Sequence, residues 1–190
     1  MDSRKLVLAS RSPQRRAILD SLGVDFEVRA TDVLEEDDGV PRAVAEENAL
    51  RKAVAGRATP GEVVLGVDTL VAIGIEIWGK PPNEEAARET LRRLSGRTHE
   101  VISGVALVEE NGSVRAATEI TKVTFRPLDD RTIEWYLSSR EWEERAGGYA
   151  IQGRGGALVE RIEGDYLNVV GLPVAALLRL CPCLADEFAA

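Results

Sequence analysis

The chain is 190 residues long, 44% hydrophobic and 29% charged, which describes an ordinary folded protein with enough length for one substantial core and excludes a fibrous or disordered class. Its net charge of -8 and pI near 4.9 make it a poor general binder of nucleic acid, whose affinity rests on phosphate neutralisation, so any phosphate chemistry must come from a local cluster of Arg and Lys. Cys181 and Cys183 stand too close together to staple a domain, and with His99 as the one histidine no zinc set can be assembled; two free thiols in a reducing compartment are expected. Neither a signal-peptide h-region nor an apolar run long enough to span a bilayer is visible, so a cytoplasmic location without membrane contact is expected.

Leu6 to Ala9 reads as a short buried strand that stops at Ser10-Arg11-Ser12-Pro13. Ser12 is a good N-cap and Pro13 fits a first helical turn, so a helix runs from there to Gly23. Phe26 to Ala30 is a second strand, followed by an acidic stretch from Asp32 to Asp38. Pro41 opens a helix to about Ala58 with Val44, Ala45, Ala49, Ala53 and Val54 inward. Glu62 to Ile73 is a central strand interrupted by Asp68 and Thr69, and a brief strand at Ile75 to Trp78 leads into Gly79-Lys80-Pro81. Asn83 caps a helix to Leu94. Two long strands, His99 to Glu109 and Val114 to Phe125, flank the hairpin signal Asn111-Gly112. A helix at Asp130 to Ser139, a glycine-rich stretch from Gly147 to Gly156, short strands and a helix from Pro173 complete the chain. The alternation gives an α/β fold with a mixed sheet, and no internal repeat or linker divides it; residues 1–190 are read as a single domain.

Four places could carry chemistry. The turn from Ser10 to Arg16 combines a helix N-terminus, two hydroxyls and three arginines, a set suited to phosphate, although a capped helix with solvated arginines reads as well. It is not a Walker A loop, because the Gly-rich spacing and terminal Gly-Lys-Ser/Thr are missing. Asp68 places a carboxylate inside an apolar strand, which requires a partner: a lysine, a metal ion, a water or backbone amides. Lys80 projects from a proline-stiffened turn, and Lys52 lies on a helix beside Ala49 and Ala53; each alone reads as an ordinary surface lysine. The glycines of 147–156, around Gln152, would let backbone approach a ligand, but their spacing is not a dinucleotide fingerprint. Glu35 and Glu36 are candidate metal carboxylates. His99 reads as structural, and Trp78, Trp135 and Trp142 as packing.

Taken together, Leu8-Ala9-Ser10-Arg11-Ser12-Pro13-Gln14-Arg15-Arg16, Gly66-Val67-Asp68-Thr69, Gly79-Lys80-Pro81, Leu94-Ser95-Gly96-Arg97-Thr98-His99, Tyr149-Ala150-Ile151-Gln152-Gly153 and Val169-Val170-Gly171-Leu172-Pro173 closely resemble the Maf family of nucleotide pyrophosphatases, in the family's order and over nearly the whole chain. The resemblance implies a curved mixed sheet flanked by helices, with two lobes around a deep cleft, related in shape to inosine triphosphate pyrophosphatases. It implies hydrolysis of a nucleoside triphosphate between the α and β phosphorus with a divalent metal, Mg²⁺ or Mn²⁺. The family's aspartate base falls on Asp68, its phosphate-binding cations on Arg15, Lys52 and Lys80 beside Ser10 and Ser12, and its metal carboxylates on Glu35 and Asp68.

Three positions divide the family by base. The branch acting on thymidine and uridine triphosphates carries Arg, Thr and Gln; the branch acting on 7-methylguanosine triphosphate carries Trp, Glu and Glu. This chain has Gln14, Thr69 and Gln152, two matches to the first and none to the second. A glutamine amide can donate to O4 and accept from N3–H of uracil or thymine, whereas an ionised glutamate only accepts. dTTP and UTP are therefore the expected substrates. A nucleotide-sensing regulator of cell division with little catalysis and a house-cleaning enzyme for modified purine triphosphates are the alternatives. Whether the chain forms a homodimer is left open.

Overall fold

The computed structural model describes residues 5–187, so the approach to the first strand over Met1 to Arg4 lies outside the described residues. In chain order the elements are β1 (Lys5–Leu8), α1 (Pro13–Ser21), β2 (Phe26–Val28), α2 (Pro41–Ala55), β3 (Glu62–Ile73), β4 (Glu76–Trp78), α3 (Glu84–Leu94), β5 (Thr98–Glu109), β6 (Val114–Phe125), α4 (Asp130–Leu137), β7 (Val159–Glu163), α5 (Tyr166–Val170), α6 (Val174–Leu180) and α7 (Leu184–Glu187). Two 3-10 turns, Ala146–Gly148 and Arg154–Leu158, precede β7. The strands form one mixed sheet in the order β2-β1-β3-β5-β6-β7, with β4 paired to β3; β2, β1 and β3 are parallel and the rest antiparallel. The expected α/β fold, a mixed sheet flanked by helices, is what the chain adopts.

Local chemistry fixes most boundaries. Ser12, Asn83 and Asp129 each cap a helix by accepting from the backbone N–H three residues on. The helix α2 ends at Ala55, earlier than its sequence implies, because the chain leaves through Gly56 into a left-handed Arg57 at φ 49°, and Val54 is exposed rather than inward because it falls one residue off the Ala45–Ala49–Ala53 stripe. The strand β3 is not broken at Asp68 and Thr69: it pairs with β5 without interruption from Val63 to Ala72. The helix α5 is not apparent in the sequence, where five residues carry no period; Asp165 caps it by accepting from Leu167 N–H. Cys181 is buried and Cys183 exposed, both free, with sulfurs 3.0 Å apart.

Both faces of the sheet are covered, and each is divided at the same level. On one face, Val63, Leu65 and Val67 of β3 join Val105 and Leu107 of β5, Ile18 and Leu19 of α1, and Leu177 of α6. Farther along that face, Val71, Val101, Val123 and Phe125 join Leu91 and Leu94 of α3 and Ile133 and Tyr136 of α4. Between the two clusters the register aligns Thr69, Ser103 and Glu119 across β3, β5 and β6. On the other face, α2 covers Val64 and Ala106 at one end and Leu70, Ala72 and Ile102 at the other. There the dividing row is Asp68, Gly104 and Thr118.

Candidate active site

The site is an opening in the sheet. One edge of β3 pairs with β1 over residues 62–65 and with β4 over residues 71–73, so among the described residues the intervening stretch from Gly66 to Leu70 has no strand partner on that edge. Here β1 turns away at Ser10 and feeds α1, whose N-terminus lies at the carboxyl end of the strand, the end at which open α/β sheets bind ligands. Asp68 and Thr69 are neighbours in sequence and point to opposite faces, yet both line the cavity because it wraps this open edge.

The helix α2 delivers the cation. A Cβ on Gly66 would fall 2.1 Å from the carbonyl oxygen of Ala49, and one on Gly104 would fall 2.1 Å from that of Ala45. Only glycine permits this approach, which lays the Ala45–Ala49–Ala53 stripe directly on β3 and β5. Lys52 and Asn48, four residues apart on one side of the helix, then reach Asp68. Lys52 Nζ lies 2.6 Å from Asp68 Oδ1 and 2.6 Å from Glu35 Oε1. Asn48 Nδ2 donates to Asp68 Oδ2 at 3.2 Å and to the Glu36 carbonyl at 2.9 Å, while its Oδ1 accepts from Glu36 N–H at 2.8 Å. Asn48 thus ties the loop after β2 to the buried carboxylate. Sequence reasoning passed over this residue, although its spacing of four from Lys52 was a usable signal.

Arg15 is held on the other side of the edge. Its Nε donates to Gly171 O at 2.9 Å, Nη1 to Ser10 Oγ at 3.0 Å and Nη2 to Thr69 Oγ1 at 3.2 Å. Thr69 Oγ1 also shares a hydrogen bond of 2.8 Å with Ser103 Oγ, its register partner. Burial lowers the Arg15 pKa from its ordinary value against the opposing pull of Asp68 and Glu35. Burial alone would raise Glu35, but the hydrogen bond and charge of Lys52, supported by Lys80 and Arg15, outweigh it and the carboxyl is held below its ordinary range.

Ten of the residues singled out from the sequence, Ser10, Ser12, Gln14, Arg15, Glu35, Lys52, Asp68, Thr69, Lys80 and Gln152, line one cavity of about 410 Å³, within the size range of small-ligand sites. Glu36 does not; its carboxylate turns outward to Arg51 at 2.6 Å. Lys80 is half exposed and 3.6 Å from Glu144. Gln152 is exposed at the rim. Gln14 Oε1 accepts from Ser12 Oγ at 3.2 Å and from Arg145 Nη1 at 2.9 Å, so a further guanidinium enters the cavity from residues 131 positions away. The glycines around Gln152 do not open space for a ligand: a Cβ on Gly147 would meet Val71 at 2.8 Å, one on Gly153 the Glu141 carboxylate at 2.3 Å and one on Gly155 the Ala150 carbonyl oxygen at 2.5 Å.

His99 is structural, as its sequence context implies. It is buried, bonded through Nε2 to Tyr149 Oη at 2.8 Å, and edge-on to Phe125 and Tyr149. Trp142 is buried and Trp78 packs against the same cluster, but Trp135 is exposed, with the Arg154 guanidinium 5.7 Å from its ring centre.

Glu35 and Asp68 bring two carboxylates from a loop and a strand onto one ammonium, while no group of three or more His, Cys, Asp or Glu able to hold a metal exists among the described residues. Two carboxylates fit a hard divalent cation whose remaining ligands are water and substrate phosphates, and do not fit a cage made by protein alone. No helix among the described residues is long and apolar enough to cross a membrane.

The family model described as Maf-like protein matches residues 5–182. The chain is 43% identical over 182 residues to a dTTP/UTP pyrophosphatase of Pyrococcus furiosus, covering 93% of this chain and 94% of that protein. It is 44% identical over 180 residues to a protein of the same name from Bacillus mycoides, covering 93% of each. Among solved structures, a HAM1 protein from Coxiella burnetii aligns with a TM-score of 0.47 at 18% identity, over 81% of this chain and 90% of that one, too remote to add to the topology described above.

Proposed function

The chain belongs to the Maf family, and from that membership and the cavity at the open edge of β3 we propose that it hydrolyses dTTP and UTP to the nucleoside monophosphate and pyrophosphate. The observation that carries the reading is the convergence of Asp68, Glu35, Lys52 and Arg15 on a single cavity around the open edge of β3, in a chain more than 40% identical to dTTP/UTP pyrophosphatases over nearly its full length. We read residues 1–190 as one catalytic domain, since the sheet runs without interruption through both apolar clusters.

In this reading water attacks the α phosphorus in line with the bond to the bridging oxygen, that bond breaks, and pyrophosphate leaves. Asp68 orients the water and accepts its proton; Asn48 fixes the carboxylate through Oδ2. Arg15 and Lys80, with Ser10 and Ser12, bind phosphate oxygens, and Lys52 balances the two carboxylates until substrate draws on its charge. Glu35 and Asp68 would hold a divalent cation, Mg²⁺ or Mn²⁺, which when bound supplies charge neutralisation at the phosphates. Thr69 and Gln152 face the base. Gln152 makes no side-chain hydrogen bond to other described residues, so its amide is free to donate to O4 and accept from N3–H of a pyrimidine.

A panel of nucleotides with pyrophosphate as the measured product tests the reading. dTTP and UTP, with forms modified at C5, should exceed CTP and the purine triphosphates in kcat/KM by about 5- to 150-fold, the range for a polar group left unpaired once the bound base covers it. GTP or 7-methyl-GTP outrunning both pyrimidines would overturn the base assignment. A nucleoside diphosphate as the first product would overturn the reaction.

A further inference from the structure

Five cations line the cavity, and their partners differ. Arg11 is 3.0 Å from Asp32, Lys52 is shared by Glu35 and Asp68, and Lys80 faces Glu144 at 3.6 Å. Only Arg15 and Arg145 have no carboxylate within ion-pair distance among the described residues. Arg15 has its Nε, Nη1 and Nη2 each donating to protein oxygens. Arg145 spends one side-chain donor, on the neutral Gln14 amide oxygen at 2.9 Å, and its Nε–H is buried with no partner at all. A guanidinium held in a cavity without a counter-charge is costly, and so is an unmet N–H beside it.

The backbone around Arg145 is fixed. Gly147 N–H donates to Gly79 O at 3.0 Å, which docks this loop on the turn carrying Lys80, and Gly148 N–H donates to Arg145 O at 3.0 Å. Arg145 therefore stands beside Lys80 on the lobe opposite Arg15, and reaches across to Gln14 in the first turn of α1, whose Oε1 also accepts from the N-cap Ser12. Within the Asp68, Glu35, Lys52 and Arg15 group two positive charges meet two negative ones, so that group as it stands offers no net charge to a polyanion.

Building on the pyrophosphatase reading above, we propose that Arg145 is a substrate-binding residue that takes the pyrophosphate portion of the nucleotide. A guanidinium presents paired donors that match phosphate oxygens, and a phosphate on the Nη donors that Gln14 leaves free supplies the missing counter-charge. Gln14 suits this role because it accepts from Arg145 without repelling it; a charged guanidinium at position 14 would lie against another cation.

The test compares ligands that differ only in what Arg145 should touch. Binding of inorganic pyrophosphate and of dTMP, each with Mg²⁺, is measured by calorimetry for the natural protein, Arg145→Gln and Arg145→Lys, alongside steady-state kinetics on dTTP. Arg145→Gln should weaken pyrophosphate by about 10- to 100-fold and raise KM for dTTP similarly, as expected for losing a charge-assisted pair, while dTMP changes by less than about threefold. Arg145→Lys should fall between, and it carries the comparison if the glutamine variant does not fold. Unchanged pyrophosphate affinity, or equal weakening of pyrophosphate and dTMP, overturns the assignment. Failure of the natural protein to release pyrophosphate from dTTP or UTP would instead overturn the reaction reading, and the ligand-binding comparison, which needs no turnover, stands apart from it.

Discussion

Lys52 is pinned between Glu35 and Asp68, with both oxygens 2.6 Å from its ammonium, and Asp68 and Lys52 are themselves buried. A buried pair of this kind contributes little net stability against apolar residues of equal volume, so its presence at the cavity is better explained by chemistry. Asp68→Asn keeps the shape and the bond from Asn48 but removes the charge; turnover of dTTP should fall by about two orders of magnitude or more, the usual range for losing a general base. Near-natural turnover in a folded Asp68→Asn protein would remove Asp68 from its role. His99 gives a second residue-scale test. Burial lowers its pKa to about 4, against 6.5 in an exposed chain, so the fold prefers the neutral ring. Between those values the unfolded chain binds the extra proton; stability is full above about pH 6.5 and declines as pH falls toward 4, by about 3 kcal/mol in all. As the one histidine, it can be isolated cleanly. Urea unfolding of His99→Gln should show a flatter pH profile than the natural protein across that window, and parallel profiles would refute the account.

At the scale of elements, the contact of α2 with β3 and β5 sets the site, because it decides how far Lys52 and Asn48 reach. Gly104 is the register partner of Asp68, and the methyl of Gly104→Ala would fall 2.1 Å from the Ala45 carbonyl oxygen. The helix must move off the sheet, costing about 1–3 kcal/mol of stability and carrying Lys52 away from Asp68. Chemical denaturation and turnover should both decline; a loss of stability with full turnover would show that the site does not depend on this packing. Much of this level was legible in the sequence. Ser12-Pro13, Asn83 and Asn111-Gly112 marked their caps and turns, and the apolar runs marked β3, β5 and β6, because those signals are local. What was not legible depends on register and distance. Alternation along β3 does not reveal that Asp68 will face Gly104, nor that an open edge will expose both Asp68 and Thr69. The glycines of residues 147–156 read as ligand-facing, yet Gly147, Gly148 and Gly153 pack on Val71, Pro81 and Glu141, none adjacent in sequence. Arg145 gave no signal at all, since its partner Gln14 lies 131 residues away.

Across the whole molecule, two apolar clusters share one sheet face and are separated by the row Thr69, Ser103 and Glu119, with Asp68, Gly104 and Thr118 at the same level behind it. The cavity is lined by α1 on one side of this division and by the loops bearing Lys80 and Arg145 on the other, so a ligand that fills it should stabilise the fold as a unit. Metal alone should not, because Glu35 and Asp68 already hold Lys52 and no set of three potential ligands exists among the described residues. Thermal unfolding with Mg²⁺ in the millimolar range should therefore match the metal-free value. Mg²⁺ with a non-hydrolysable α,β-imido analogue of dTTP at about 100 times its Kd should add about 2.7 kcal/mol, or about 5–10 °C for a chain of this size. The same dependence should appear in turnover, which excess chelator should abolish, since the triphosphate brings the phosphate oxygens that complete the coordination of a hard cation. Equal stabilisation by Mg²⁺ without nucleotide would mean that the protein builds a metal site by itself, and full activity in chelator would mean that Lys52, Lys80 and the arginines neutralise the substrate alone.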